Sequence, residues 1–249
     1  MKYAIAATAV LLVLGNVQCY IPASLSVCNR ADPELDKCVR AVVEGLRSRI
    51  ASGDYGEGHM LPSLDPAYID RLDIDDGANL QASFRNLTVT GAKNFQIDKL
   101  HLNVPEKNIN FRVTLDKMNL KGKYNMKMKL SLLLIDGVGD ANLDISDSKL
   151  LVKMHYQLLP SAKDPSRLTM QFDPIEMKIK FAGPAKFNFT NLLKDKPRLS
   201  EAANEAVNED PSVILEKAKP AVQQFFSKLF TDIANGLMKE ATEEEALPL

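Results

Sequence analysis

The middle of the chain alternates apolar and polar residues, and this alternation is the strongest structural signal in the sequence. From Asn79 onward the period is two rather than 3.6 for about a hundred residues, which predicts strands rather than helix. Slips in the alternation near Asn86 and Asp98 predict bulges that bend long strands. Each predicted strand has one polar and one apolar face, as in an antiparallel sheet covered on one side. The apolar positions are Leu80, Ala82 and Phe84; Ile109, Phe111, Val113 and Leu115; Tyr124, Met126, Met128, Leu130, Leu132 and Leu134; Leu150, Val152, Met154 and Tyr156; Leu168, Met170 and Phe172; Ile175, Met177, Ile179 and Phe181.

Helical periodicity flanks this sheet on both sides. Asp32-Pro33 predicts a helix start, because Asp caps well and Pro needs no N–H at the first helical position; the apolar spacing then continues to Gly53. Residues 54–76 are rich in Gly, Pro and Asp and predict a long irregular connection. Residues 212–239 predict a second helix, ~42 Å long at 1.5 Å per residue. Pro220 lies inside it and marks either a kink or a junction of two helices.

The order of these elements predicts an α+β fold in which a long C-terminal helix is wrapped by a strongly curved antiparallel sheet, with an N-terminal amphipathic helix beside it. The chain has nine Met and no Trp, a composition that suits an interior able to adapt its shape. An apolar hollow between sheet and helix would stay dry and accept apolar molecules. The alternative is a core filled by side chains, and periodicity alone does not separate the two.

The first residues have the pattern of a secretory signal. Lys2 supplies a positive start, residues 4–14 are apolar, and Val17-Gln18-Cys19 offers a cleavage site. The apolar run is too short for a membrane span, which needs about 20 residues and is the alternative here. We therefore predict a signal peptide at residues 1–19, a single domain at residues 20–249, and a secreted, extracellular protein.

Cleavage after Cys19 leaves two cysteines, Cys28 and Cys38, in an oxidising compartment. A disulfide between them is the favoured interpretation, and a metal pair or a free catalytic thiol are the alternatives. Two sequons, at Asn86 and Asn188, predict N-glycosylation sites that fit secretion.

Charge and motif content exclude several classes of function. Lys and Arg number 31 against 32 Asp and Glu, so no large positive field would attract nucleic acid. No H-E-x-x-H or C-x-x-C spacing is present, and we predict no metal and no cofactor. An esterase is disfavoured because G-x-S-x-G is absent and His59, His101 and His155 lie in different segments. Gly137-Val138-Gly139 resembles a dinucleotide fingerprint only superficially and predicts a hairpin turn.

The lysines from Lys123 to Lys129 form one face of a predicted strand. This face either docks a receptor or a membrane surface or is simply solvated. The sequence otherwise predicts a monomer.

Several short segments occur in a characteristic order and spacing over essentially the whole region after the signal. These segments are Cys28 to Cys38 around Asp32-Pro33; Leu61-Pro62-Ser63-Leu64-Asp65-Pro66; Asn86 with Gly91; Gly122-Lys123-Tyr124; Gly137-Val138-Gly139; Asn188 to Asp195; Asn204 with Asn208-Glu209; and Glu216 with Lys219-Pro220. Together they resemble the insect takeout and juvenile hormone binding protein family. The resemblance implies a tubular lipid-binding fold and a secreted carrier for small hydrophobic molecules such as terpenoids or fatty acids. The chain departs from the family pattern at Met128 and Leu134, whose bulk would narrow or redirect a tunnel if these positions face it.

Tyr124 is the predicted polar group that orients a bound ligand. It falls in phase with the apolar positions of its strand, and the resemblance places a ligand-facing Tyr in this vicinity. The alternative is a Tyr whose hydroxyl bonds a backbone group at the rim. The other predicted ligand contacts, each of which is core under the alternative interpretation, are Phe84, Phe111, Met126, Leu132, Met170, Phe172, Phe225, Phe226, Leu229 and Phe230.

Overall fold

Antiparallel strands form one strongly curved sheet, a half-barrel, in the computed structural model of the chain. The structure describes residues 26–56, 60–130, 132–194, 196–238 and 240–249, so the predicted signal peptide and His59 lie outside it. No helix in these ranges is long and apolar enough to cross a membrane. The elements are α1 (Leu35–Gly45), α2 (Arg47–Ser52), β1 (Ala67–Asp75), β2 (Leu80–Thr90), a 3-10 turn (Ala92–Asn94), β3 (Gln96–Asn103), β4 (Asn108–Leu130), β5 (Leu133–Pro160), β6 (Leu168–Phe172), β7 (Glu176–Phe181), β8 (Ala185–Phe189), α3 (Pro197–Glu209), α4 (Ser212–Met238) and α5 (Glu243–Ala246).

Two very long strands, β4 and β5, form the backbone of the sheet. They pair along nearly their whole length, from Asn108 opposite His155 to Leu130 opposite Leu133. On one side β4 pairs with β2, and β2 with β1; β3 pairs with another stretch of β4. On the other side β5 pairs in turn with β8, β7 and β6. Because 23- and 28-residue strands twist along their length, the sheet curls rather than staying flat.

Bulges change which residues point inward. The pairing register shifts between Arg85 and Thr88, and again between Ile97 and Lys99, which confirms the two predicted bulges. A further irregularity lies at Asp147, whose φ is 47°. In β5 the inward positions are odd-numbered up to Ile145 and even-numbered from Ser148 onward. The phase of the alternation is therefore not constant along a strand.

Helix α4 lies in the concave face of the sheet as one continuous helix of 27 residues, ~40 Å long. Pro220 sits within it without dividing it into two helices. The N-terminal half packs with β1, β2 and β8 in a first core cluster, and the C-terminal half packs with β3, β7 and the middle of β4 and β5 in a second. Phe181, Val222 and Phe226 contact both clusters and join them.

Short polar side chains of α3 and α4 close one edge of the sheet, and we call this set the polar seam. Asn208 accepts from Phe187 N–H (2.8 Å) and donates to its carbonyl (2.7 Å), so its amide substitutes for a neighbouring strand. Asn235 does the same for Phe172 at 2.7 and 3.1 Å. Strands β6 to β8 have a free edge there, which the seam satisfies. The seam consists of Ser200, Asn204 and Asn208 in α3 and Gln223, Ser227, Thr231 and Asn235 in α4, at intervals of four residues.

A disulfide joins Cys28 to Cys38 with Cα atoms 6.0 Å apart, and this confirms the predicted pairing. The bond fits an extracellular protein. The preceding segment is also tied to the C-terminus, because Arg30 N–H donates to the Pro248 carbonyl (2.8 Å) and its Nε to the Leu247 carbonyl (2.6 Å). Residues 28–30 and the C-terminal residues are thus fastened beside α1.

The N-terminal helix differs from its predicted boundaries. It begins at Leu35 rather than at Pro33, and the Asp32 carboxylate accepts from Glu34 N–H (2.8 Å) ahead of the helix. It breaks at Leu46 and resumes as α2, which ends at Gly53 as predicted, with Gly53 in the left-handed conformation.

Two loop predictions are wrong. Residues 54–76 are not wholly irregular, because β1 occupies Ala67–Asp75; its frequent charged residues mask the alternation. Gly137-Val138-Gly139 lies inside β5 rather than in a hairpin turn. These glycines admit the segment that follows β8, since a Cβ on Gly139 would lie 2.4 Å from the Thr190 carbonyl oxygen.

Candidate functional site

Three phenylalanines of α4 form an aromatic array in the concave face of the sheet. Phe226 stacks on Phe230 with ring centroids 6.1 Å apart, and Phe225 meets Phe226 edge-on at 5.4 Å. All three are half-buried and pack against the buried residues of the two core clusters, as Phe181 and Val222 do beside them. The array therefore keeps accessible apolar surface at the junction of the two clusters.

Tyr124 lies in the first cluster with Phe84 and Met126, and all three are almost fully buried. The Tyr124 hydroxyl donates to the Thr190 carbonyl (2.7 Å), which is the alternative interpretation that the sequence left open. Its ring meets Phe189 edge-on at 4.9 Å. Burial raises the pKa of Tyr124 to about 12, so the phenol stays neutral and keeps its proton for this bond.

Met170 and Phe172 belong to β6. They pack near the C-terminal end of α4, in a separate cluster with Tyr156. The Tyr156 hydroxyl donates to Glu243 Oε1 (2.8 Å), and burial, followed by the contact with Glu243, raises the pKa of this Tyr far above its usual range. The Phe172 and Tyr156 rings are 5.8 Å apart. This cluster closes the end of the interior that is opposite Tyr124.

Leu132 was predicted as a ligand contact, and the structure places it outside the interior. It is 95% exposed, in the turn between β4 and β5. The prediction carried the alternation of β4 through the turn, where Ile135 rather than Leu134 resumes the buried face. Leu134 is 70% exposed and cannot narrow an interior space, whereas Met128 is buried and does face it.

The remaining predicted contacts are half-buried. Phe111 packs against the second cluster, and Leu229 lies on α4 beside the aromatic array. The predicted set is thus spread over three clusters along α4 and is not gathered in one pocket. Among the members that pack against the interior, the aromatic array, Phe111 and Leu229 are half-buried and retain accessible apolar surface.

Two hollows open on the outside of the sheet, and neither lies between the sheet and α4. One of about 480 Å³ contains both sequon asparagines, Asn86 and Asn188, which are exposed. The other, of about 410 Å³, lies between α1 and β3, and Phe111 is the one predicted contact among its lining residues.

Ser148 is an interior residue that sequence reasoning missed. It is 1% exposed, it follows the irregularity at Asp147, and its hydroxyl has no hydrogen-bond partner among the described residues. The predicted apolar set of this strand began at Leu150, although Ser148 is in phase with Leu150 and Val152 and extends the same face. The polar seam was missed as well, although four-residue spacing beside an apolar helical stripe was a visible signal.

The two histidines that the structure describes are each paired with one aspartate on the protein surface. His101 Nδ1 lies 3.0 Å from Asp36, and His155 Nδ1 lies 2.7 Å from Asp173; both pairs are on the surface. Contact with His155 lowers the pKa of Asp173, as expected for a surface pair. No group of three or more potential metal ligands occurs in the described residues.

Comparison with known families decides the relationship of the chain. The model of the haemolymph juvenile hormone binding protein family matches residues 6–248. The chain belongs to this family. Among solved structures, Takeout 1 of Epiphyas postvittana superposes with a TM-score of 0.76 at 20% identity, covering 90% of this chain and 99% of that one. The family resemblance and the predicted fold class, a curved sheet around a C-terminal helix, are both confirmed.

Other comparisons of this juvenile hormone binding protein family member add little. A lipopolysaccharide binding protein structure aligns at 15% identity with a TM-score of 0.34, covering 79% of this chain and 39% of that one, which is too low to establish a common fold. Comparison with curated protein sequences gives no match.

Proposed function

We propose that this protein is a secreted carrier that binds a small hydrophobic molecule non-covalently between the sheet and α4. The ligand class is a terpenoid like juvenile hormone, a fatty acid or a similar lipid. Membership of the haemolymph juvenile hormone binding protein family supports this proposal. The protein acts as a monomer and needs neither metal nor cofactor.

The half-buried aromatic array is the observation that carries the proposal. Phe226 contacts both core clusters yet keeps accessible surface, which supports a ligand site at the junction of the two clusters. Burying ~300 Å² of ligand surface there would contribute about 7 kcal/mol before the entropy loss of association. Methionines such as Met126 and Met154 line the same face and can adjust to different ligand shapes.

Secretion is part of the proposal. The Cys28–Cys38 disulfide and the signal-like residues 1–19 support it. We expect glycans on Asn86 and Asn188, which are exposed and share the 480 Å³ hollow. Expression in insect cells followed by glycosidase treatment would show two mobility steps in the secreted protein and one step in an Asn188→Gln variant.

A binding assay with a fluorescent apolar probe tests the carrier function. Wild-type protein should bind N-phenyl-1-naphthylamine, and long-chain fatty acids should displace it. Phe226→Ala should change probe affinity several-fold because it alters the surface that the ligand contacts. Tyr68→Ala serves as the control, since Tyr68 is 70% exposed on the outside of β1. Absence of saturable probe binding by the wild-type protein would refute the proposal.

The exposed turn between β4 and β5 supports a second function, docking to an anionic lipid surface. We call the set Leu132, Leu134, Lys127 and Lys129 the hairpin tip. The two leucines are 95% and 70% exposed, and the two lysines are exposed and form no ion pair with any described residue. Asp136 lies across from Lys127 but contacts Lys194 (3.5 Å) instead.

The hairpin tip places exposed leucines next to lysines without an ion pair among the described residues. This order corresponds to the apolar interior and the charged head-group layer of a membrane. The leucines suit the acyl boundary, and the lysines suit anionic head groups. Lys123 also belongs to the predicted lysine face, but it is paired with Asp140. The docking surface proposed here therefore includes Lys127 and Lys129 and leaves Lys123 out. A carrier that docks in this way could exchange its ligand directly with the bilayer.

Vesicle sedimentation tests this second function. Wild-type protein should bind phosphatidylcholine vesicles that contain phosphatidylserine, and less so at high salt. A Leu132→Ser/Leu134→Ser variant should lose about tenfold or more of this partitioning. Leu168→Ser is the control, because Leu168 is 50% exposed at the far end of β5, opposite Pro160. Equal losses in both variants would refute membrane docking, and so would a dimer in light scattering that the tip variant abolishes.

A further inference from the structure

Ser148 carries a hydroxyl in a place where a hydroxyl is unfavourable. The residue is 1% exposed and its oxygen has no donor or acceptor within hydrogen-bond distance among the described residues. Buried polar side chains in native proteins nearly always have a partner, and leaving one without a partner destabilises the fold. The Tyr55 and Ser83 hydroxyls are also without a partner among the described residues, and Ser148 is the one of the three that lies opposite Phe181, beside the aromatic array.

The position of Ser148 in the sheet is central. Its side chain points inward, because it is in phase with the buried residues Leu150 and Val152 that follow it in β5. It lies directly opposite Leu115 in β4 and opposite Phe181 in β7. Directly opposed residues share one face of a sheet, so all three point into the concave side.

The neighbours of Ser148 place it at the aromatic array. Phe181 contacts both core clusters, as do Val222 and Phe226 of α4, and Leu115 contacts the second. These four side chains are half-buried, whereas Ser148 itself is buried. Ser148 thus lies opposite half-buried apolar side chains that contact the two core clusters at the aromatic array.

We propose that Ser148 is the polar anchor of the ligand site and that it hydrogen-bonds an oxygen atom of the bound molecule. This inference rests on the carrier function proposed above and specifies the ligand class. The ligand is an apolar chain that carries an ester, carboxyl, epoxide or hydroxyl oxygen along its length or at one end. A pure hydrocarbon would leave the hydroxyl unpaired and gains nothing from it.

Ligand entry must uncover the hydroxyl, since the oxygen is shielded in the structure. Phe226 is the side chain best placed to move, because it is only half-buried and makes its aromatic contacts along α4 rather than with the sheet. Its displacement would exchange packing with Phe181 for contact with the ligand. Tyr124 is not needed for this role, because its hydroxyl already donates to Thr190.

A Ser148→Ala variant gives two readouts of opposite sign. In the free protein, removing an unpaired buried hydroxyl should raise Tm by about 2–5 °C. In the liganded protein, it should weaken binding of an oxygenated ligand about 3- to 10-fold, the range for one neutral hydrogen bond. The probes are a straight-chain methyl ester and the alkane of equal length, each competed against N-phenyl-1-naphthylamine, and affinity for the alkane should not change.

Ser227→Ala is the matched control. This variant also removes a part-buried hydroxyl, but the Ser227 hydroxyl donates to the Ile175 carbonyl. It should lower Tm and leave both probe affinities unchanged. A stabilised Ser148→Ala protein beside a destabilised Ser227→Ala protein is the pattern that the proposal requires.

The outcomes separate this inference from the carrier function. If the wild-type protein binds both probes and Ser148→Ala binds both equally well, the anchor is refuted and the carrier function stands. An equal loss for ester and alkane refutes the anchor too, because it indicates packing rather than a hydrogen bond. A lower Tm for Ser148→Ala shows that the hydroxyl is already bonded and overturns the premise. If the wild type binds neither probe, the carrier function fails and the anchor with it.

Discussion

Removal of one amide from the polar seam should destabilise the whole fold, and Asn208→Ala is the clearest case. The Asn208 side chain satisfies both backbone groups of Phe187, at 2.8 and 2.7 Å. Phe187 is 2% exposed, so water has little access to these groups once the amide is gone. An unsatisfied buried group costs about 1–3 kcal/mol, and two such groups give an expected loss of about 2–4 kcal/mol in the free energy of unfolding.

Urea unfolding at neutral pH measures this loss. Far-UV circular dichroism is the suitable signal because the chain has no Trp. The unfolding midpoint should fall with an unchanged slope, and Tm should fall by roughly 2–4 °C for each kcal/mol. Glu205→Ala in the same helix is the control, since Glu205 is exposed and should change stability little. An Asn208→Ala protein within about 0.5 kcal/mol of wild type would refute the strand-substitute role of the seam.

Three further perturbations have defined outcomes. Replacing Cys28 and Cys38 by Ala should lower the free energy of unfolding by about 2–3 kcal/mol through loss of a closed loop, measured by urea unfolding without reductant. Tyr124→Phe should cost about 1 kcal/mol of stability and leave probe affinity unchanged, because it deletes a bond to a backbone carbonyl and not to a ligand. Contact with Lys217, together with nearby backbone N–H groups, holds the pKa of Asp76 far below its usual range. That contact stabilises the fold above the ordinary carboxyl pKa and fades as pH falls, so the Tm difference between wild type and Asp76→Asn should be largest at neutral pH and shrink toward about pH 2.

Each of these has a contrary result. A disulfide-free variant with wild-type stability would mean that the contacts of Arg30 with the C-terminus alone hold the N-terminal segment. A Tyr124→Phe protein with weaker ligand binding would return Tyr124 to the site, with Tyr68→Phe as the control for loss of an exposed phenol. Parallel Tm profiles of wild type and Asp76→Asn across the pH range would contradict the inferred pKa of Asp76.

The sequence predicts those secondary-structure elements that local periodicity determines. Alternation identifies the sheet, and the i, i+4 apolar stripe identifies α4, because both depend only on near neighbours. It misplaces Leu132 because Leu132, Leu133 and Leu134 are identical, so nothing local marks where the strand reverses. It misses β1 because charged residues interrupt the pattern.

The site depends on contacts distant in sequence, which periodicity does not encode. The inward positions of β5 change from odd to even at the irregularity at Asp147, and nothing local shows that both halves belong to one strand. The bond of Tyr124 requires Thr190, 66 residues away. The seam residues are visible as a spacing, but their partners in β6 to β8 are not. The order of the elements predicted the fold class, and the family resemblance implied the same fold.

The polar seam forms its hydrogen bonds with main-chain groups in and beside β6 to β8 rather than with their side chains. Each amide or hydroxyl of the polar seam bonds a backbone N–H or C=O, and any residue other than proline would present both groups equally well. Substitutions at inward positions such as Phe172, Met177 or Phe187 can therefore change the inner surface of the sheet without breaking its hydrogen bonds to the helices. The attachment that holds the two layers together and the inner side chains that would contact a ligand under the proposed carrier function are free to evolve separately.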